Sequence, residues 1–221
     1  MSKSIIAFGD IHGCPLAAQG AVLLTQQLDA IAIFLGDYVD RGTDSMGVLR
    51  VLMAAQAAHP EWVFLRGNHD QMLLDLIHGS VHPKGWDERT REEAYAEWLA
   101  EPEDFRSDVI TFLQNTLLFH TTSHFVFVHA PLIDDGRALH DKHSNDLVWN
   151  YDLEPRWGGL PFVHGHIPIE TAEILPHRIN VNTSCGYGGS LTGVFIDSIN
   201  GQVLCTCSIS EGGRILIPPD L

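Results

Sequence analysis

The chain has 221 residues and a formal charge of −15. That length fits a single domain, 1–221, with a sizeable core. No apolar run nears the roughly 18 residues that span a bilayer, and the acidic balance disfavours nonspecific attraction to nucleic-acid backbones; neither a membrane nor a nucleic acid is expected as partner. The opening residues Met-Ser-Lys-Ser-Ile-Ile run straight into a strand with no leader-like segment, which predicts a cytoplasmic protein. A monomer is expected. Cys14, Cys185, Cys205 and Cys207 show neither metal-finger spacing nor a disulfide framework.

In chain order, Ser4–Phe8, Ala30–Leu35 and Trp62–Leu65 are short, apolar and rich in β-branched or aromatic residues, and read as buried strands. Pro15 suits the first position of a helix over Leu16–Leu28. Asp44 or Ser45 caps a helix over Met46–Ala58, stopped at His59-Pro60. The strand–helix alternation predicts parallel pairing through right-handed crossovers. Three further helices are predicted over Asp70–His78, Asp87–Ala100 and Asp104–Gln114. Leu117–His120 and Phe125–Val128 flank Thr-Thr-Ser-His and predict a hairpin. Residues 134–160 read as a mobile stretch, and another strand precedes His164-Gly165-His166. The tail is β-rich over Arg178–Asn182, Leu191–Asp197 and Gln202–Ser208, with a turn at Ser198–Gly201.

Working groups of open α/β sheets sit just past the carboxyl ends of strands. Asp10, Asp37, Asn68, His129 and His166 all fall there, within or after Gly-Asp-Ile-His-Gly, Gly-Asp-Tyr-Val-Asp-Arg-Gly, Arg-Gly-Asn-His-Asp, Val-His-Ala-Pro and Gly-His-Ile-Pro. A single Asp in such a place is ordinarily a turn or helix cap, and a single His a hydrogen-bonded core residue. Five strands ending this way point to a shared site. Oxygen ligands mixed with imidazoles suit Mn, Fe or Zn, and their number exceeds the needs of one ion.

These motifs, in this order and spacing, resemble the PPP-type metallophosphoesterases over residues 5–197, and the small bacterial and phage serine/threonine protein phosphatases most of all. The resemblance implies an α/β fold of two mixed β-sheets packed face to face with helices outside, the calcineurin-like four-layer sandwich. It also implies two divalent metal ions, Mn first with Fe or Zn as alternatives. Asp10 and His12 would hold the first ion, Asp37 would bridge, and Asn68, His129 and His166 would complete the second. In the His-Gly-His string either imidazole could ligate; the family pattern assigns His166 and leaves His164 as a supporting or core residue. His69 would protonate the leaving oxygen with Asp40 orienting it, and Arg41 and Asn68 would hold phosphate oxygens.

The implied activity is hydrolysis of phosphomonoesters by a metal-activated water, on phosphoserine or phosphothreonine proteins with possible extension to phosphotyrosine or phosphohistidine, or on small phosphoesters. The alternatives are a dinucleoside polyphosphate hydrolase and a catalytically silent scaffold of the same fold. A scaffold would be expected to lose ligands or the acid, and neither is lost. One position departs from the pattern: Tyr151 stands where a second phosphate-binding arginine is expected, with Arg156 or Arg137 as distant substitutes. Cys14, Tyr95, Trp86 and Trp98 read as packing residues, and Tyr187, within Gly-Tyr-Gly-Gly, as a residue that approaches the site on a flexible turn.

Overall fold

The computed structural model describes residues 3–80, 88–152 and 157–218. Trp86 and Arg156 lie outside the described residues. Strands β1 (Ile5–Phe8), β2 (Ile31–Phe34) and β3 (Val63–Phe64) pair in parallel, as the alternation with helices predicts. The intervening helices are α1 (Pro15–Gln27) and α2 (Ser45–Ala58), with Pro15 at the first helical position and Asp44 Oδ1 accepting from Gly47 N–H at 2.6 Å. Next come α3 (Asn68–Ile77), α4 (Glu88–Ala100) and α5 (Glu103–Asn115). Helix α3 begins two residues earlier than Asp70, so Asn68 and His69 occupy its first turn.

The predicted hairpin is β4 (Phe119–Thr121) with β5 (Val126–Val128). Beyond it lie α6 (Ser144–Val148), β6 (Phe162–His164), β7 (Glu173–Ile174), β8 (Arg178–Asn180), β9 (Ser190–Ile196), β10 (Val203–Ser210) and β11 (Ile215–Leu216). They complete two mixed sheets, ordered β11-β10-β9-β1-β2-β3 and β4-β5-β6-β8-β7.

Strand periodicity sorts the core. Ile6, Phe8, Ala32 and Phe34 face the α1–α5 side, while Ile5, Ala7, Ile33 and Leu35 face the other sheet. There they meet Phe125, Phe127, Val163 and Ile179 from the second sheet, so the two sheets pack face to face. The outer face of the second sheet presents Val126, Val128 and Phe162 to Leu132 and Leu147, the latter on α6.

Of the stretch expected to be mobile, 153–156 lie outside the described residues, and its first part carries several side-chain hydrogen bonds. Lys142 Nζ donates to Ile133 O and Asp135 Oδ1 at 2.9 and 2.7 Å, and Asp146 Oδ2 accepts from His143 N–H at 3.1 Å at the start of α6. Among the described residues, no helix is long and apolar enough to cross a membrane.

Candidate metal centre and active site

The carboxyl ends of β1, β2, β3, β5 and β6 lie at one edge of the sandwich, and the residues following them converge. Asp37 follows β2 on a loop whose backbone is held by Asp70: its carboxylate accepts from Asp37 N–H, Tyr38 N–H and Gly67 N–H at 2.8, 2.9 and 2.9 Å. Asp37 Oδ1 accepts from His69 N–H at 2.9 Å, which leaves Oδ2 turned to the cleft. That oxygen lies 3.6 Å from His12 Nε2 and 3.4 Å from His129 Nε2. It therefore stands between two candidate ligand sets.

The first candidate set is Asp10 and His12 with Asp37, although the ligand atoms that lie within 4.8 Å of one another on this side are those of His12, Asp37 and His69. His12 Nε2 is 3.9 Å from Asp10 Oδ2, and its Nδ1 is hydrogen-bonded to Val39 O at 2.9 Å, which directs Nε2 inward. The second set is tighter. Asn68 Oδ1 lies 2.9 Å from both His129 Nε2 and His166 Nδ1, and His129 Nδ1 is bonded to Leu35 O at 3.0 Å. His164 stays out of both sets: it is fully buried, with Nδ1 against Gly165 O at 2.9 Å and Nε2 facing Arg178. Of the two imidazoles in His-Gly-His, His166 is thus the one the fold brings to the cluster.

The backbone is bent to achieve this. His12, Asp37, Asp40, Arg41 and His166 all have positive φ, between 43° and 70°. Left-handed backbone costs a non-glycine residue roughly 1–2 kcal/mol. Five such residues around one cleft indicate that position, not stability, fixes their conformation. Close approach also explains two glycines: a Cβ at Gly67 or Gly165 would fall 2.0 Å from an oxygen of Asp37 or of Asp10.

Burial and charge act against one another here. Burial raises the Asp10 carboxyl to about 7, with His129 pulling it partly back. At Asp37 burial pushes the same way, but the imidazoles of His129 and His69 outweigh it and hold the group well below the usual carboxylate range. At His129 burial favours the neutral ring, yet Asp37 prevails and lifts it to about 9. Burial pushes His12 down to about 4 and His166 to about 3. The Asp37 carboxylate and the protonated His129 ring thus favour one another.

A divalent cation is the chemical species that displaces such a proton, and this donor set fits one at each end of Asp37. The expected consequence is a large metal effect on stability. At free metal a thousandfold above its dissociation constant, binding adds about 4 kcal/mol. For a chain of this size chelation should then lower the melting temperature by roughly 8–16 °C. Calorimetry with and without EDTA checks this, and an unmoved midpoint would contradict the fit.

Beside the ligand sets, His69 Nδ1 lies 2.6 Å from Asp40 Oδ2. Burial lowers the His69 imidazole, but Asp37 and Asp40 overcome it, so the ring is raised above its ordinary value. His69, His12 and Asp37 also offer ligand atoms within 4.8 Å of one another. Asp40 occupies Nδ1, and the His69 ring lines the cleft. The cleft encloses about 170 Å³ and is lined by Arg41, Asn68, Tyr151 and Tyr187, among others.

Arg137, a distant candidate for the second phosphate-binding arginine, is engaged elsewhere, by Asp135 Oδ2 at 2.5 Å and Asp146 Oδ2 at 2.7 Å. Tyr95 and Trp98 stack on each other in the helical core, as their spacing predicts. Three contributors escaped the motif reading. Asn182 Nδ2 donates to Asp10 Oδ2 at 2.6 Å, and its position just past β8 was the available signal. Asp70 closes the Gly-Asn-His-Asp string and organises the β2 loop. Glu97 on α4 accepts from Ser45 N–H at 2.7 Å, bracing the segment that carries Asp40, with nothing local to announce it.

The calcineurin-like phosphoesterase family matches residues 3–196. Among curated relatives, an asymmetrical bis(5′-nucleosyl)-tetraphosphatase PrpE of Halalkalibacterium halodurans is 26% identical over 217 aligned residues, covering 83% of this chain and 86% of the relative. Serine/threonine-protein phosphatase 2 of Salmonella typhimurium is 25% identical, covering 86% and 91% respectively. The crystal structure of a proposed diadenosine tetraphosphatase superposes with a TM-score of 0.70 at 21% identity, covering 94% of each chain.

Proposed function

This chain belongs to the calcineurin-like phosphoesterase family, and we propose that it hydrolyses phosphoesters at a dinuclear metal centre formed by Asp10, His12, Asp37, Asn68, His129 and His166. The observation that carries the reading is Asp37 Oδ2, which lies 3.6 and 3.4 Å from the inward nitrogens of His12 and His129. Two divalent ions bound there would supply Lewis-acid stabilisation of the phosphoryl group and acidify water at neutral pH.

The chain's own groups do the rest. Arg41 carries a guanidinium into the cleft, suited to two phosphoryl oxygens at once. His69 holds a proton for the departing oxygen, and Asp40 keeps its ring oriented and its positive form favoured. No side chain needs to form a bond to phosphorus.

For the substrate, a phosphorylated serine or threonine side chain is the first reading, and one of the relatives bears a protein phosphatase name. Dinucleoside polyphosphates are the second, favoured by the tetraphosphatase names among the relatives and by Tyr151 standing in place of an arginine. A panel of phosphoserine peptide, nucleotides and diadenosine tetraphosphate, run on Mn-loaded protein, separates the two.

In either case Arg41 is the arginine that lines the cleft among the described residues. Arg41→Ala is therefore expected to lower kcat/KM by about 100-fold or more, as for loss of a paired charged contact. Arg137→Ala should change it by less than about threefold. Steady-state kinetics on one substrate check the pair, and equal losses would refute the one-arginine cleft.

A further inference from the structure

Among the described residues the cleft is lined by a single arginine, Arg41, in an acidic protein, so these residues offer a phosphorylated substrate little positive charge of their own. They offer aromatic surface instead. Tyr151 and Tyr187 both line the cleft, yet they remain 61% and 58% exposed. Each stands over a different ligand set. The Tyr151 ring lies 4.4 Å from His166, and the Tyr187 ring 6.0 Å from His12 and 5.4 Å from the Arg41 guanidinium.

Scattered exposed tyrosines need no explanation, but these two are held in place. Tyr187 sits between Gly186 and Gly188, whose φ values of +85° and +86° make the turn. Glu211 Oε1 accepts from both glycine N–H groups, at 3.0 and 2.8 Å, and so pins that turn. On the other side, Asn150 fixes the backbone next to Tyr151 by donating to Pro131 O at 2.7 Å and accepting from Asp152 N–H at 3.1 Å.

We propose that Tyr151 and Tyr187 are the specificity-determining residues of this cleft, two aromatic jaws that stack the planar ring of a phosphorylated substrate. The inference rests on the phosphoesterase reading of the same cleft. Aromatic rings stack on any planar π-face, and the affinity gained does not depend on charge. A phosphoserine chain has no ring to present, whereas a nucleotide and an aryl phosphate both do.

The test is calorimetric binding to Mn-loaded protein with probes that are not turned over. One arm compares α,β-methylene-ADP with methylenediphosphonate, and the other compares phenylphosphonate with methylphosphonate. The ring-bearing member of at least one pair should bind about tenfold tighter or better. Tyr151→Ala or Tyr187→Ala should reduce that preference to less than about threefold, while Tyr151→Phe and Tyr187→Phe, which keep the ring, should retain it. Preference in the first arm alone identifies nucleotides, and in the second alone aryl phosphates.

No preference in either arm overturns the proposal, as does a preference that survives both alanine substitutions in a protein with unchanged melting temperature. Failure of the phosphoesterase reading looks different. It appears as an absence of metal-dependent hydrolysis across phosphate ester substrates, whichever way the ring preference falls.

Discussion

Asp37→Asn is expected to lower kcat/KM by at least about a thousandfold, about 4 kcal/mol of transition-state stabilisation. The substitution keeps the shape of the side chain and an oxygen for His69 N–H, which Asp37 Oδ1 accepts at 2.9 Å. What it removes is the charge shared between His12 and His129, 3.6 and 3.4 Å away. A carboxylate acting only as a loop cap would cost roughly 1 kcal/mol of stability and leave the rate largely intact. Kinetics together with the melting temperature distinguish the two. A near-normal rate in the folded variant would remove Asp37 from the bridging position.

The second large effect concerns His69, and its signature is a difference between substrates. His69→Asn should lower turnover of a phosphoserine peptide by about 100- to 10,000-fold, the usual worth of a positioned general acid. Turnover of p-nitrophenyl phosphate should fall by less than about tenfold, because nitrophenolate departs without needing a proton. With Asp40 2.6 Å from His69 Nδ1, Nε2 is the nitrogen that would carry the proton under the proposed mechanism. Equal losses on both substrates would mean that His69 positions phosphate or ligates a metal, as its closeness to His12 and Asp37 also permits. Metal content that stays unchanged in the variant would exclude the ligand role.

Much of this architecture is legible in the chain because its signals are local. An apolar run followed within two or three residues by Gly and a polar group marks a strand end at Asp10, at Asp37 and again at His166. The alternation of residues such as Ile5 and Ala7 against Ile6 and Phe8 then allots each face of the strand to its own layer. Other features depend on partners far along the sequence and leave no local trace. Glu97 reaches Ser45 across 52 positions, and Asn182 reaches Asp10 across 172.

The five-residue α6 and the two-residue strands β7 and β11 are too short to carry a readable period. The motif pattern and the glycine-rich turn already put Tyr151 and Tyr187 near the site, but no local signal reveals that Glu211 and Asn150 hold the two loops there.

The dinuclear centre itself is tested most directly by counting ions. Protein equilibrated with Mn, freed of excess metal and assayed by elemental mass spectrometry should hold two ions per chain, and Asp37→Asn no more than one, because each set loses the oxygen it shares. One ion or none in the unaltered protein, or two in the folded Asp37→Asn variant, would contradict a centre bridged by Asp37.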